Sequence, residues 1–246
     1  MFNRYLLSWC IGLYCALVGA QASAGITLSA TRLIFDGVHN EVSINVRNTG
    51  NDSLIQSWID SDNPKMASVP FVVTPPLARV SAGEQQLLRV IYEGAGMPSD
   101  KESVFWLNVQ EIPQADKTQN TLQLAVRQRI KVFFRPVGLQ ADAYLAPTQL
   151  QWQIDEEGGH AMLKIMNPSL YHVSLSNVTV QSGTTSEHPI DSMMIAPNET
   201  RTFKLKGANS SNYSTLTFSN INDYGAQDRY IVKLINKVAV SAKTNQ

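Results

Sequence analysis

The segment FVVTPPLARVSAGEQQLLRVIY (71–92) decides the fold class, because its second half fits two different structures. Its SAGE motif (81–84) has the spacing of a capping box that opens a helix. Gly83 would weaken the first turn of that helix, however, and LRVIY (88–92) has the Leu-x-Val-x-Tyr alternation of a strand. We therefore predict a strand here and an all-β fold for the chain.

The first half of the chain contains further short runs of this kind, separated by turn residues and rich in Val, Ile and Thr. Seven runs at this spacing are typical of an immunoglobulin-like sandwich. They are ITLSATRLIF (26–35), EVSINVRN (41–48), LIQSWID (54–60), FVVTPPLARV (71–80), QQLLRVIY (85–92), SVFWLNVQEIP (103–113) and NTLQLAVRQRIKVFFRP (120–136).

A stretch without strand alternation divides the chain. RPVGLQADAYLAP (135–147) holds Pro136 and Pro147, and we place a domain boundary within it, between residues 137 and 138. Strand patterns then return, which predicts two all-β domains, 25–137 and 138–246. The predicted strands of the second domain are 150–154, 161–166, 172–180, 193–196, 200–205, 215–219 and 229–235.

Residues 1–24 have the pattern of a secretory signal peptide. Arg4 gives a positive start, an apolar centre follows, and Ala22-Ser23-Ala24 is a small-residue cleavage signature. The alternative is a membrane anchor, but the apolar run is shorter than the about 20 residues that span a bilayer. Cleavage would remove both cysteines and leave 19 basic against 20 acidic residues, a net charge of −1 that gives no support to nucleic acid as a partner.

No pattern of an active site is visible. The four histidines are isolated, no Gly-x-Ser-x-Gly motif or phosphate-binding Gly-rich loop occurs, and the acidic group 155–157 precedes two glycines as in a solvated hairpin tip. The sequence therefore predicts neither an enzyme nor a metal or cofactor site.

The strongest functional signal is the segment 120–136. Leu122, Leu124 and Val126 form an alternating apolar row, and the cations Arg127, Arg129 and Lys131 follow with the same period. An apolar edge strand invites pairing with another chain, whose pockets would take the alternate side chains. Two alternatives remain open here: the row could face its own core, and each cation could pair with an acidic residue of this chain.

Five segments resemble the periplasmic chaperones of the chaperone–usher pathway, which assemble pili and related surface fibres. The resemblance covers nearly all of the chain after residue 24. It implies a periplasmic protein with two immunoglobulin-like β-sandwich domains set at an angle, with a cleft between them. The segments are ATRLIFDG (30–37), FVVTPPLARVSAGEQQLLRVIY (71–92), KESVFWLNVQEIP (101–113), RIKVFFRP (129–136) and NDYGA (222–226).

The resemblance also implies roles for single residues in subunit binding. Arg32 and Lys131 match two cleft cations that bind the C-terminal carboxylate of a fibre subunit. Leu122, Leu124 and Val126 match the alternating residues that the chaperone donates to the groove of a subunit lacking its last strand. Strict alternation places Lys131 on the face opposite this row, unless a bulge intervenes.

Other matches concern the architecture. Arg89, Glu102 and Asp223 match an ion-pair network that holds the two domains at their working angle, with ordinary surface pairing as the alternative. TPP (74–76) matches a turn for which we expect a cis peptide bond. The short, cysteine-free connection from EIP (111–113) to Leu122 resembles the short-loop branch of the family. The family's frequent disulfide in the second domain is absent.

The sequence therefore predicts a periplasmic chaperone that binds fimbrial subunits, either pilins or an adhesin, by donor-strand complementation. It would prevent premature assembly and deliver the subunits to an outer-membrane usher, without ATP, a cofactor or a small-molecule substrate. The alternative from another class is a structural fibre subunit or adhesin, which should lack its last strand and usually has a cysteine pair. A secreted hydrolase is disfavoured by the missing nucleophile–base pattern. The fibre, its subunits and self-association stay open.

Overall fold

A computed structural model describes residues 25–64, 66, 68–113, 124–140, 142–206, 213–235 and 238–244. Strands dominate these residues, which confirms the predicted all-β class. A strand, Gln85–Tyr92, occupies the segment that allowed a helix. Gly83 has a φ of +79°, a left-handed turn conformation that glycine adopts without strain.

The first domain has two sheets that enclose one apolar core. Its strands are β1 (Ile26–Leu28), β2 (Arg32–Asp36), β3 (Glu41–Asn48), β4 (Ser53–Asp60), β5 (Phe71–Thr74), β6 (Leu77–Val80), β7 (Gln85–Tyr92), β8 (Ser103–Pro113) and β9 (Arg127–Arg135). One sheet has the order β1-β3-β7-β5 and the other β2-β9-β8-β4-β6. β2 and β9 are parallel, whereas the other neighbours are antiparallel.

Two runs that the sequence predicts as single strands each divide between the two sheets. Residues 26–35 form β1, which pairs with β3, and β2, which pairs with β9. Residues 71–80 divide at the Thr74–Pro75 peptide bond, which is cis as expected from the resemblance. Because prolines 75 and 76 have no N–H for a ladder, β5 ends there and β6 joins the other sheet.

Aromatic rings fill the centre of the first domain. The Phe71 ring lies 4.8 Å from that of Phe105, 5.5 Å from that of Phe35 and 5.6 Å from that of Phe134. These rings come from both sheets, so their contacts join the sheets; each such pair contributes about 0.5–1.5 kcal/mol beyond its buried area.

The second domain is a single eight-stranded sheet that folds around its own core. Its strands are β10 (Gln151–Glu157), β11 (His160–Met166), β12 (Val173–Ser182), β13 (Thr185–Ile195), β14 (Thr200–Lys204), β15 (Tyr213–Ile221), β16 (Gln227–Ile235) and β17 (Val238–Thr244). Their order is β13-β12-β15-β16-β17-β10-β11-β14. Trp152, Phe218 and Tyr230 are buried at its centre. The sequence pattern missed β17 and the polar first half of β13.

Two short helical turns precede the second sheet. A 3-10 helix covers Ala143–Leu145, and α1 covers Ala146–Gln149. The Asp142 side chain accepts a hydrogen bond from the Tyr144 N–H at 2.8 Å and so caps the first turn. This connection brings Tyr144 to the cleft between the two domains.

Candidate functional site

The upstream half of β9 has one open edge among the described residues. β8 pairs with residues Arg127–Phe134 of β9, but β2 pairs only with Lys131–Arg135. Leu124 and Val126 precede β9 and are 71% and 48% exposed. These two residues therefore do not face the core of their own domain. This contradicts the alternative that the apolar row packs into that core. Leu122 lies outside the described residues.

The alternation of β9 separates a buried face from a charged face. Ile130 and Val132 are buried in the first-domain core, and Lys131 points to the opposite face. The β8–β9 register runs without a shift, and the Glu111 N–H donates to the Val126 carbonyl at 2.9 Å in the same register. No bulge therefore intervenes between Val126 and Lys131, and parity places them on opposite faces.

Arg32 and Lys131 are register partners on the parallel strands β2 and β9. Arg32 Nη1 donates to the Ile221 carbonyl of the second domain at 2.7 Å. The Arg32 guanidinium lies 5.5 Å from the Phe133 ring centroid, and Lys131 Nζ lies 5.6 Å from that of Trp106. The sheet thus fixes two cations beside each other where the domains meet.

This cation pair has no anionic partner among the described side chains. Burial lowers the pKa of Arg32, although the charges of Asp223 and Glu102 oppose the change. Burial and the neighbouring Arg32 both lower the pKa of Lys131. Arg32 Nε is buried without a hydrogen-bond partner. An anion at this position would relieve the repulsion and offer the missing acceptor.

The predicted ion-pair network forms with a different arginine. Arg135 donates to Glu102 Oε2 at 2.8 Å and to both carboxylate oxygens of Asp223, at 2.7 and 2.8 Å. Arg89 was the wrong member: it lies on the other sheet of the first domain, where it pairs with Glu41 of the adjacent strand β3. Glu102 and Asp223 come together as expected.

Arg135 is held firmly by this pairing. Burial alone would lower its pKa, but the hydrogen bonds and charges of Asp223 and Glu102 outweigh that effect and raise the pKa. Glu102 is 2% exposed, and its Oε1 accepts the His172 backbone N–H at 2.8 Å and lies 2.9 Å from His172 Nδ1. Because Glu102 and Arg135 belong to one domain and His172 and Asp223 to the other, the network links the two domains.

Arg129 lies on the same face of β9 as Lys131, but its charge is neutralised by two aspartates. It donates to Asp60 at 2.8 Å and to Asp62 at 2.7 Å, and its guanidinium lies 4.3 Å from the Trp106 ring centroid. Burial lowers its pKa, but these hydrogen bonds outweigh the burial and raise it. Arg129 therefore has a structural partner set that Lys131 lacks, and Arg127 is exposed at the start of β9.

A cleft of about 480 Å³ lies between the domains, next to the cation pair. Its lining includes Arg32, Phe133, Arg135, Tyr144 and Tyr224. Tyr224 is 95% exposed, so the second domain presents an aromatic ring at the cleft. In the described part of the chain we find neither a cluster of metal-ligating side chains nor a helix long and apolar enough to span a membrane.

Comparison with known proteins gives the family. The profile described as "Pili and flagellar-assembly chaperone, PapD N-terminal domain" matches residues 25–140, and "Pili assembly chaperone PapD, C-terminal domain" matches residues 145–232. The chain belongs to the PapD family of pilus-assembly chaperones. Because this family's described role is assembly, the match supports a chaperone over the alternative of a fibre subunit.

Individual relatives agree with the family assignment. The probable fimbrial chaperone YadV of Escherichia coli K12 is 38% identical over 223 residues, covering 86% of this chain and 90% of YadV. The chaperone LpfB of Salmonella typhimurium is 33% identical over 95% of this chain and all of LpfB.

Solved structures that contain chaperones are similar over most of this chain. The crystal structure of YadV has a TM-score of 0.73 at 36% identity and covers 86% of this chain and 100% of that structure. The complex of Salmonella enterica SafA pilin with the SafB chaperone contains a chain with a TM-score of 0.71 at 25% identity, covering 87% and 99%.

Sequence reasoning missed two members of the inter-domain network, Arg135 and His172. A signal for Arg135 was present, because it follows Lys131 and Phe133 at the same period of two and so lies on the same face of β9. No comparable signal existed for His172, whose role depends on the contact between domains.

Proposed function

We propose that this PapD-family chain binds fimbrial subunits in the periplasm by donating a strand to them. We define residues 122–126 as the donor segment; its described part, 124–126, leads directly into β9 at the open edge. The observation that carries the proposal is the exposure of Leu124 and Val126 in line with that open edge. The SafA pilin complex of a similar chaperone supports a pilin as the class of partner.

Strand addition suits both parts of this edge. The main chain of the upstream half of β9 can pair on its free side with a strand of the subunit, which supplies affinity without regard to sequence. Side chains two residues apart then enter neighbouring pockets of a subunit that lacks its last strand. The row Leu122, Leu124 and Val126 has this spacing.

Arg32 and Lys131 would anchor the C-terminal carboxylate of the subunit. Each charge-assisted hydrogen bond to such a partly buried carboxylate contributes about 1.5–3 kcal/mol. Because both cations are fixed by strands, they would also set the register between the subunit and the donor segment. The repulsion between them and the unsatisfied Arg32 Nε support an anionic ligand.

The remaining parts of the proposal concern export and delivery. Residues 1–24 would be a signal peptide removed after Ala24, and residues 25–137 and 138–246 the two domains. The network of Glu102, Arg135 and Asp223 would hold the working angle of these domains. The chaperone would then deliver subunits to an outer-membrane usher without ATP, within the short-loop branch of the family.

Leu124→Glu tests strand donation. Because Leu124 is 71% exposed, the variant should keep the urea midpoint of the wild type but lose the subunits that co-purify from the periplasm. Val38→Glu is the matched control, since Val38 is 67% exposed and lies in the turn after β2, away from the donor segment. Wild-type capture by Leu124→Glu, or equal loss in both variants, would refute strand donation.

A further inference from the structure

One acidic residue of the first domain, Glu111, lies on the inward-facing side of β8. Phe105, Leu107 and Val109 of β8 are buried in alternation, and Glu111 continues this inward row at 9% exposure. Among the described residues no side chain or backbone group forms a hydrogen bond or ion pair with its carboxylate. A carboxylate held in such a largely buried position would be stabilised by a neighbouring cation.

Gly25 lies against this carboxylate. A Cβ placed on Gly25 would collide with Glu111 Oε2 and would lie 2.6 Å from Oε1. Because the N–Cα bond is about 1.46 Å, a residue's nitrogen lies about 2.5 Å from its Cβ position, which puts the Gly25 nitrogen within about 5 Å of the carboxylate. The Gly25 carbonyl accepts the Thr49 N–H at 2.8 Å, which fixes the start of the described chain in this place.

We infer that the α-amino group formed by cleavage after Ala24 is the counter-ion of Glu111, so that removal of the signal peptide completes the first domain. Hydrolysis breaks the Ala24–Gly25 C–N bond; water supplies the hydroxyl of the new carboxyl group and a proton to the new amine. At neutral pH the new carboxylic acid loses a proton and the new amine takes one up, so that the uncharged amide nitrogen has become an ammonium group. This inference rests on the proposed cleavage site and not on subunit binding.

The ion pair would lie at the base of the donor segment. The Glu111 N–H donates to the Val126 carbonyl at 2.9 Å, and Gln128 Nε2 donates to the Ile26 carbonyl at 2.6 Å. Glu111 is therefore hydrogen-bonded to the last residue of the donor segment. Two residues further along the chain, the side chain of Gln128 links β9 to β1. An ammonium–carboxylate pair between Gly25 and Glu111 would fasten the N-terminus at the place from which the donated strand emerges.

A double-mutant cycle on the mature chain tests the pair. The chain that begins at Gly25 is released from a fusion without extra residues, then compared with the same chain acetylated at its N-terminus, in the Glu111 and the Glu111→Gln backgrounds. Acetylation should raise the unfolding equilibrium constant about tenfold with Glu111 and less than twofold with Glu111→Gln. Equal effects in both backgrounds, or no effect in either, would overturn the inference.

A second measurement needs no substitution. Hydrogen exchange of the Glu111 amide, which bonds to Val126, should be several-fold faster in the acetylated chain than in the free chain under native conditions. Unchanged exchange would contradict the ion pair. The mass of the protein purified from the periplasm gives the N-terminus directly, and a start other than Gly25 would also overturn the inference while leaving subunit capture untouched.

Discussion

Replacing Lys131 by methionine should stabilise the isolated chaperone while it weakens subunit capture. Lys131 is partly buried beside Arg32, which lies on the neighbouring strand β2 about 4.8 Å away. Among the described residues Lys131 has no carboxylate partner. Two like charges about 6 Å apart repel by about 0.7–3 kcal/mol for effective dielectric constants between 80 and 20. The lost contact with Trp106 costs about 0.5–1 kcal/mol. The expected net gain is about 1 kcal/mol.

Urea unfolding measures this gain, with Arg129→Met as the matched control. Arg129 lies on the same face of the same strand, but it pairs with Asp60 and Asp62 and stacks on Trp106. Its loss should therefore lower the free energy of unfolding by about 1 kcal/mol. The two variants should shift the urea midpoint in opposite directions, and 1 M salt should reduce both shifts by screening the charges.

The pH dependence gives an independent check on Lys131. Its pKa in the folded chain lies below the ordinary value of 10.5, so between the folded and the unfolded pKa the unfolded chain binds more protons. The stability of the wild type should therefore rise with pH in that window relative to Lys131→Met. The advantage of the variant should shrink as the pH approaches 10.5.

If Lys131 is an anchor, Lys131→Met should weaken subunit binding although it raises the free energy of unfolding. Loss of one charge-assisted hydrogen bond should weaken subunit binding by about 10- to 150-fold, as measured with a purified subunit whose C-terminus is intact. If Lys131→Met is instead destabilised like Arg129→Met and binds normally, the proposed repulsion and the anchor are both wrong.

Two further predictions concern the contact between the domains. Glu102→Ala leaves its buried ionic partners uncompensated and should lower the free energy of unfolding, measured in urea, by about 3 kcal/mol. Glu41→Ala on the exposed surface is the control and should change that free energy little. Similar losses in both variants would contradict a special role for Glu102. Gly225→Ala should destabilise the chain by about 1–3 kcal/mol in the same assay, because its φ of +82° disfavours alanine and the new Cβ would collide with Thr31 Oγ1. Gly159→Ala, with a φ of +77° and open space around it, should lose only about 1 kcal/mol, and an equal loss in both glycine variants would exclude the collision as a cause.

The site residues differ in how far the sequence could assign them. Arg32 and Lys131 were named together from the resemblance, and the parallel register of β2 and β9 brings them side by side. Arg89 was assigned from the resemblance and was wrong, because a matching motif does not fix which sheet of the sandwich its strand joins, and β7 lies in the sheet away from Glu102. Arg135 and His172 meet Glu102 only because the two domains contact each other.

The sequence by itself determined the fold class of this protein and the face that a side chain occupies on a predicted strand. Alternation and turn residues fixed the all-β class, and parity assigned Lys131 to the face opposite Val126 because side chains repeat every two residues along a strand. These are local properties, set by neighbours in the chain.

Only the tertiary structure decided which edges are paired and which charges are neutralised. β2 pairs with β9 only from Lys131 onwards, so among the described residues the upstream edge is open, and Leu124 and Val126 are exposed. The same packing pairs Arg129 with two aspartates, leaves Lys131 beside Arg32, and brings Gly25 against Glu111. Such outcomes depend on contacts between residues far apart in sequence, and no local pattern encodes them.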